Sequence, residues 1–462
     1  MGRLPPQRYA SPELVGLAGD FIDAEGVDLL ARWGRHDGYW NDRLTIGLDP
    51  FFRTATDRVS PVGTVLDRGH EPISGVNFAS QDYLSLTSHP AICEAAIEAI
   101  GRWGVNGGGP MSQQGGSTPL LTLEERLAEL LSCREAAVFS SEGIAIEGAV
   151  RTFVRETDHI VIDAAAHGVS RAAAAAATRH VHCVPTGSHG AVEQCLARVR
   201  ETDPRAGILV MTEALFSLDS VAPDLRHLRD LCREYQAALL VDVSHDLGAI
   251  GDGGLGIVGE QGLLGEVDLV VGSFSPTFAS QGGFVASRAT GVRQALRMFA
   301  EPMSQGSALS PLQAAVVNAA LDVVKSREGA QRRRRLMQNV LRLRDALQAR
   351  AFQVLGRPSG VVPVAFEGVA EARLMTRAVL GRGALVTLVE HPALGRQHAR
   401  WRLQVTADHQ DQHIDQLVGI AVAARESMPG ERPWRDEHLS TPTRAVPGGD
   451  TEGDTKSDEN QA

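Results

Sequence analysis

Lysine is nearly absent. The 462-residue chain carries it at two places only, Lys325 and Lys456, so none stands between residues 1 and 324. Chemistry that needs a side-chain amine in that long stretch is excluded. Cysteine is also scarce. Five are scattered along the chain (Cys93, Cys133, Cys183, Cys195 and Cys232), odd in number and without a CxxC pair. They read as reduced core thiols, with neither a disulfide framework nor a metal site. No apolar run reaches the ~18 residues that would read as a membrane span, and the N-terminus lacks a signal-peptide core. The expectation is a soluble, cytoplasmic protein with no transmembrane segment. The net charge is −11 and no basic patch is interleaved with aromatics, which argues against nucleic acid as a partner.

What the chain does have is ample apolar content, 43%, enough for a large core in two or three domains. Residues 1–75 read as an irregular arm with one helix, opened by Ser11-Pro12-Glu13. Trp33, Trp40, Phe51 and Phe52 of this arm are expected to pack against the main body. From 76 to 320, apolar runs alternate with helical patterns. The runs Ala136–Phe139, His159–Asp163, Ala206–Met211, Ala237–Asp242 and Val267–Val271 read as buried strands, and Leu123–Leu131 and Pro223–Tyr235 as helices. Strands apolar throughout and separated by helices predict an α/β fold with a mainly parallel sheet, covered by helices on both faces. Polar site residues in such sheets gather at the strands' carboxyl ends. Asp163, Glu213, Asp242 and Ser273 sit there. Residues 321–430 read as a small α+β C-terminal domain that includes a long connecting helix. That helical region spans Leu312 to Arg350, and its arginine run, Arg332 to Arg335, reads as a solvated face. Strands are expected at Gly360–Phe366, Ala384–Val389 and Arg400–Val405, with helices at Ala370–Gly381 and Asp411–Glu426. Residues 431–462 read as a disordered acidic tail.

Several motifs carry chemistry. Asn77-Phe78-Ala79-Ser80-Gln81-Asp82-Tyr83-Leu84 is followed by Asp163-Ala164-Ala165-Ala166-His167 and by Thr212-Glu213-Ala214-Leu215-Phe216-Ser217-Leu218-Asp219. Val241-Asp242-Val243-Ser244-His245 comes next, and then Gly272-Ser273-Phe274-Ser275-Pro276-Thr277-Phe278-Ala279-Ser280-Gln281-Gly282-Gly283. In this order the motifs resemble those of the α-oxoamine synthases, over roughly residues 75–425. The resemblance implies a fold-type I, pyridoxal 5′-phosphate (PLP)-dependent transferase, similar to class II aminotransferases, with its site at a dimer interface. The family condenses an amino acid with an acyl thioester and releases CO₂.

Residue by residue, the resemblance implies that Asp242 pairs with the pyridine nitrogen; the plain alternative is a strand-end aspartate capping a turn. His245 would bond the ring's phenolic oxygen or the substrate. His167 would stack on the ring, unless it is an ordinary surface or core histidine. Ser217 would reach the phenolic oxygen. Ser273, Ser275 and the N–H of Gly143 would face the phosphate. Glu213 is expected to hold local structure, and Asp219 to cap the helix near Pro223. Ser307 would reach the neighbouring subunit's phosphate or serve only the helix start at Ser310-Pro311. Arg402 would bind the amino-acid carboxylate, with Arg400 on the same strand as its rival.

The departures matter as much. Pro276 stands where the family has its Schiff-base lysine. Met111, Leu120, Glu142 and Ile146 also differ and are expected to alter the same pocket. Three readings follow. The first is a degenerate subunit that forms a dimer with a lysine-bearing paralogue. The second is an active homodimer using PLP or pyridoxamine phosphate noncovalently, with His167 or His245 as base. The third is a non-catalytic protein that senses an amino acid or acyl thioester.

Overall fold

The computed structural model describes residues 11–23 and 25–428, and the statements below concern these residues. The expected tail at 431–462 and the first ten residues of the arm lie outside them. Seven strands form the central sheet: β1 (Glu135–Phe139), β2 (His159–Asp163), β3 (His180–Val184), β4 (Ile208–Glu213), β5 (Ala238–Asp242), β6 (Leu269–Ser273) and β7 (Gly283–Ser287). Their spatial order is β1-β7-β6-β5-β4-β2-β3. β7 runs antiparallel to β1 and β6, and the other pairs are parallel.

The sheet is buried on both faces because side chains alternate across it. Val210, Leu239, Val241 and Val270 join one apolar core, while Leu209, Met211, Leu240 and Val271 join the other. Each such side chain contributes about 1.5–3 kcal/mol on burial. All five expected strands are present. The two not foreseen have reasons. β3 is an edge strand whose His180, His182 and exposed Cys183 dilute the apolar signal. β7 is a short strand directly after the Gly-Gly pair.

The expected long helix at 312–350 is two helices, Pro311–Lys325 and Arg327–Gln348. Ser326 ends the first and caps the second, with its hydroxyl accepting from the Gly329 N–H at 3.2 Å. The arginine run is only partly a solvated face. Arg332 donates to the Leu84 carbonyl at 3.1 Å and Arg333 to that of Val324 at 2.8 Å. The expected strand at 384–389 also divides. Ala384–Leu385 pairs parallel with Pro72–Asn77, whereas Leu388–Val389 pairs with Arg400–Gln404.

The arm is more regular than its sequence suggests. It holds the short helix Pro12–Val15, a 12-residue helix Gly34–Thr45, and the strands Thr54–Ala55, Val62–Leu66 and Pro72–Asn77. A buried ion cluster ties it down. Glu390 accepts from Arg43 Nη1 at 2.8 Å, and from Arg373 Nε and Nη2 at 2.8 and 3.0 Å. The remaining donors of both guanidiniums go to the arm, to carbonyls and, from Arg43 Nη1, to the Tyr39 hydroxyl at 3.3 Å. Arg43 reaches Leu48, and Arg373 reaches Leu14 and Gly16. Arg43 also lies 4.9 Å from the Trp40 ring centre, and Trp40 meets Phe51 edge-on. Phe51 packs against the main core as expected, whereas Trp40 packs within the arm. Trp33 and Phe52 are exposed, at 50% and 78%.

Burial alone would raise the Glu390 carboxyl, but bonds and charge from Arg373 and Arg43 outweigh it and hold the group below the usual glutamate range. Removing one partner leaves uncompensated buried charge. Glu390→Ala is expected to cost about 3–5 kcal/mol in denaturant unfolding. Asp415→Ala, which removes an exposed partner of Arg342, is expected to cost no more than about 1 kcal/mol.

Candidate active site

β4, β5 and β6 end side by side, and their last polar residues meet. Glu213 stands opposite Asp242, while Ser273 lies two residues beyond Val271, Asp242's partner on β6. All three are buried. Glu213 Oε1 accepts from the His167 backbone N–H at 2.7 Å, so this residue does hold local structure. Asp242 Oδ1 accepts from the Ser244 hydroxyl at 2.6 Å and the Ser244 N–H at 2.9 Å. The Ser244 oxygen in turn accepts from the Ser273 N–H at 2.9 Å. Asp163 is apart from this group. Its carboxylate serves a turn, through Thr186 at 2.7 Å and the Ala165 N–H at 2.9 Å.

Charge accumulates here without matching cations. Burial, then the neighbouring Glu142 carboxyl, push Asp242 up to about 7. Burial and the charge of Asp242 raise Glu213 well above the usual glutamate range. Glu142 is raised by burial, against the hydrogen bonds it shares with Ser244, Asp242 and Ser273.

Beside the carboxyls lies a cavity of about 170 Å³, lined in part by Gln81, Glu142, His167, Ser217, His245 and Arg402. His245 is held from both sides. Its Nδ1 is 3.0 Å from the Tyr83 hydroxyl, and its Nε2 is 3.4 Å from Arg402 Nη2. Arg402 has only hydrogens to give, so Nε2 is the accepting nitrogen and the proton sits on Nδ1. Burial, then the charge of Arg402, push His245 well below the ordinary histidine range, so the ring is neutral. Gln81, with its amide oxygen turned to Arg402, accepts at 3.2 and 3.3 Å. Burial raises Tyr83 to about 12.

The loop after β6 closes one wall. Ser273 Oγ accepts from the Ser275 N–H at 3.2 Å. Pro276 is buried, and its carbonyl accepts from the Tyr83 N–H at 2.9 Å. Gly283 is required where it stands, because a Cβ there would come within 2.5 Å of the Glu142 Cα. This close approach brings the helix Glu142–Phe153, capped by Ser141, onto the sheet.

A larger funnel of about 910 Å³ adjoins the cavity, and His167, Ser217 and Arg402 line both. Arg171, Arg396 and His391 also face the funnel. Arg400 points elsewhere, donating to the Leu218 carbonyl at 3.1 Å. Gly143 lies in the first turn of its helix, and Ser307 is exposed on the surface.

Two expectations are corrected. Asp224, not Asp219, caps the helix Leu225–Glu234, accepting from the His227 N–H at 3.1 Å. Of the four further departures, only Glu142 lines the cavity. Leu120 and Ile146 are fully buried in the apolar cores, and Met111 packs at their edge. These three are apolar side chains with apolar neighbours, so they were absorbed by packing.

Comparison with known proteins matches this architecture. Residues 73–420 fit the family model for aminotransferase class I and II. An 8-amino-7-oxononanoate synthase of Salmonella dublin is 31% identical over 355 residues, covering 76% of this chain and 89% of that one. The corresponding enzyme of Enterobacter sp. (strain 638) is 31% identical over 391 residues, 83% and 99% of the two chains. The chain belongs to the α-oxoamine synthase family. Its fold is that of serine palmitoyltransferase from S. paucimobilis, solved with a bound PLP–myriocin aldimine. That structure has a TM-score of 0.80 at 24% identity and covers 86% of this chain and 98% of that one. The family is one of PLP-dependent transferases of fold type I. Among the described residues, no helix is long and apolar enough to cross a membrane.

Gln81 and Ser244 were missed as cavity groups, and Tyr83 as the partner of His245, although each lies inside a quoted motif. A polar residue next to a motif's strand end was the available signal. The raised acids have a measurable consequence. A carboxyl that holds its proton more tightly when folded than when unfolded makes stability fall as pH rises from the ordinary aspartate range towards about 7. Asp242→Asn, which cannot ionise, is expected to flatten that decline in thermal unfolding followed from pH 4 to pH 7.5.

Proposed function

We propose that this chain is a catalytically degenerate α-oxoamine synthase subunit that works beside a lysine-bearing paralogue, and that any PLP it takes up is held without a covalent bond. The observation that carries this is Pro276. It sits in the cavity wall, buried, with no side-chain amine to offer, and the motif's resemblance to the family gives this position to the lysine. Lys325 cannot substitute: it ends a helix and faces Glu129 at 3.9 Å. Lys456 lies outside the described residues.

PLP supplies an electron sink to the enzymes of this family. Towards a pyridine ring, the cavity's donors fit in part: Asp242 for the ring nitrogen, Ser217 and His245 for the phenolic oxygen, and His167 for the ring face. Towards the aldehyde and the phosphate, they do not. Residue 276 has no amine. Ser273, Ser275 and the Gly143 N–H remain, but the Glu142 carboxyl stands among them and would meet a phosphate dianion with like charge. The residues therefore do not suit the family's covalent mode.

What the chain's own residues offer is binding. Arg402 opens onto both cavities and suits a carboxylate, while the funnel is large enough for an amino acid and part of an acyl thioester. His245 makes a poor base, because Arg402 holds its only free lone pair. Exposed Ser307 is free to face a partner's phosphate. Free, scattered cysteines support a cytoplasmic location.

Two measurements test the reading. Purification from the native host is expected to recover a second, lysine-bearing chain. The isolated chain, given PLP, amino acid and acyl thioester, is expected to turn over at least about 10²–10⁴-fold more slowly than a lysine-bearing member. A lone homodimer with full condensing activity would sink the proposal.

A further inference from the structure

Glu142 is the first residue of its helix, and a helix N-terminus is a natural seat for an anion. Here the helix supplies the anion itself. The backbone at Glu142 has little freedom to retreat, since it lies against Gly283. Its side chain lines the cavity together with Ser244, Ser273 and Ser275. One side chain thus shares the cavity with the serines suited to a phosphate, and its charge reaches the aspartate suited to a ring nitrogen. The charged and titratable groups around it come from several elements. Asp242 and Glu213 lie on β5 and β4, His167 stands at the start of the neighbouring helix, and His245 and Arg402 face it across the cavity. Among these the one fixed cation, Arg402, is already shared by His245 and Gln81. The space left beside Glu142 is about 170 Å³.

We propose that Glu142 is a built-in gate of the cofactor cavity: its side chain stands beside the serines that the phosphate of PLP needs, and PLP enters fully only when that carboxyl leaves. The inference rests on the reading of this chain as a member that has lost covalent cofactor chemistry. Its support is separate, in the position of Glu142 rather than in Pro276.

The test is PLP binding to the full chain by equilibrium dialysis, with thermal unfolding of the unliganded proteins as a check on folding. Glu142→Ala is expected to bind PLP at least about tenfold more tightly than wild type, and Glu142→Gln, which keeps the bulk but loses the charge, to fall between them. Either folded variant suffices. Affinities within about twofold of wild type for both overturn the gate. A measurement on the wild type alone guards against misfolded variants. Pyridoxal, which lacks the phosphate, is expected to bind at least as tightly as PLP, and a preference for PLP of about tenfold or more overturns the proposal. The two ideas fail separately. Condensing turnover by the isolated wild-type chain sinks the degenerate reading whatever the affinities. Equal affinities sink the gate even if the chain is inert.

Discussion

A strand buried on both faces can present a charged side chain only where it ends. The central sheet obeys this constraint, and the site follows from it. β4, β5 and β6 are apolar throughout their length because both faces are covered. Their first polar positions come together at one edge, as Glu213, Asp242 and Ser273. The packing that makes the sheet stable therefore also crowds acids into a region of low dielectric. There each carboxyl raises its neighbour. A cofactor with a ring nitrogen would relieve that crowding. In this chain the relief is internal: serine hydroxyls, and a proton held in the group.

How much of this was legible depends on the kind of signal. Apolar runs ending in a polar residue are local patterns, so β2 was read to the residue and β4, β5 and β6 within two. The histidine-rich edge strand β3 breaks the pattern and was not read. Ser326 could equally sit inside a helix, and its role as both stop and cap depends on geometry. Tyr83 and His245 are 162 positions apart and Arg43 and Glu390 are 347 apart, and no periodicity in one sequence connects them. Glu142 was visible as a charge out of place. The direction of its side chain was not, and that direction decides what it does.

The arm shows the same division. Its aromatics hinted at packing, but the reason it holds is one glutamate between two arginines, drawn from the two ends of the chain. Glu390 is next to His391 and Pro392, which line the funnel. The cluster that anchors the arm therefore also sets one wall of the binding space. Geometry at the site's mouth is thereby linked to a contact that touches no ligand.

Glu142 has one more consequence. A helix whose N-terminus waits for a bound phosphate is fully satisfied only in the loaded protein, so its stability follows the ligand's concentration. This helix carries its own carboxylate in its first turn and is capped by Ser141. The chain's own side chains satisfy this end of the helix, so its stability is expected to follow the concentration of a phosphate ligand less closely than in a helix without them.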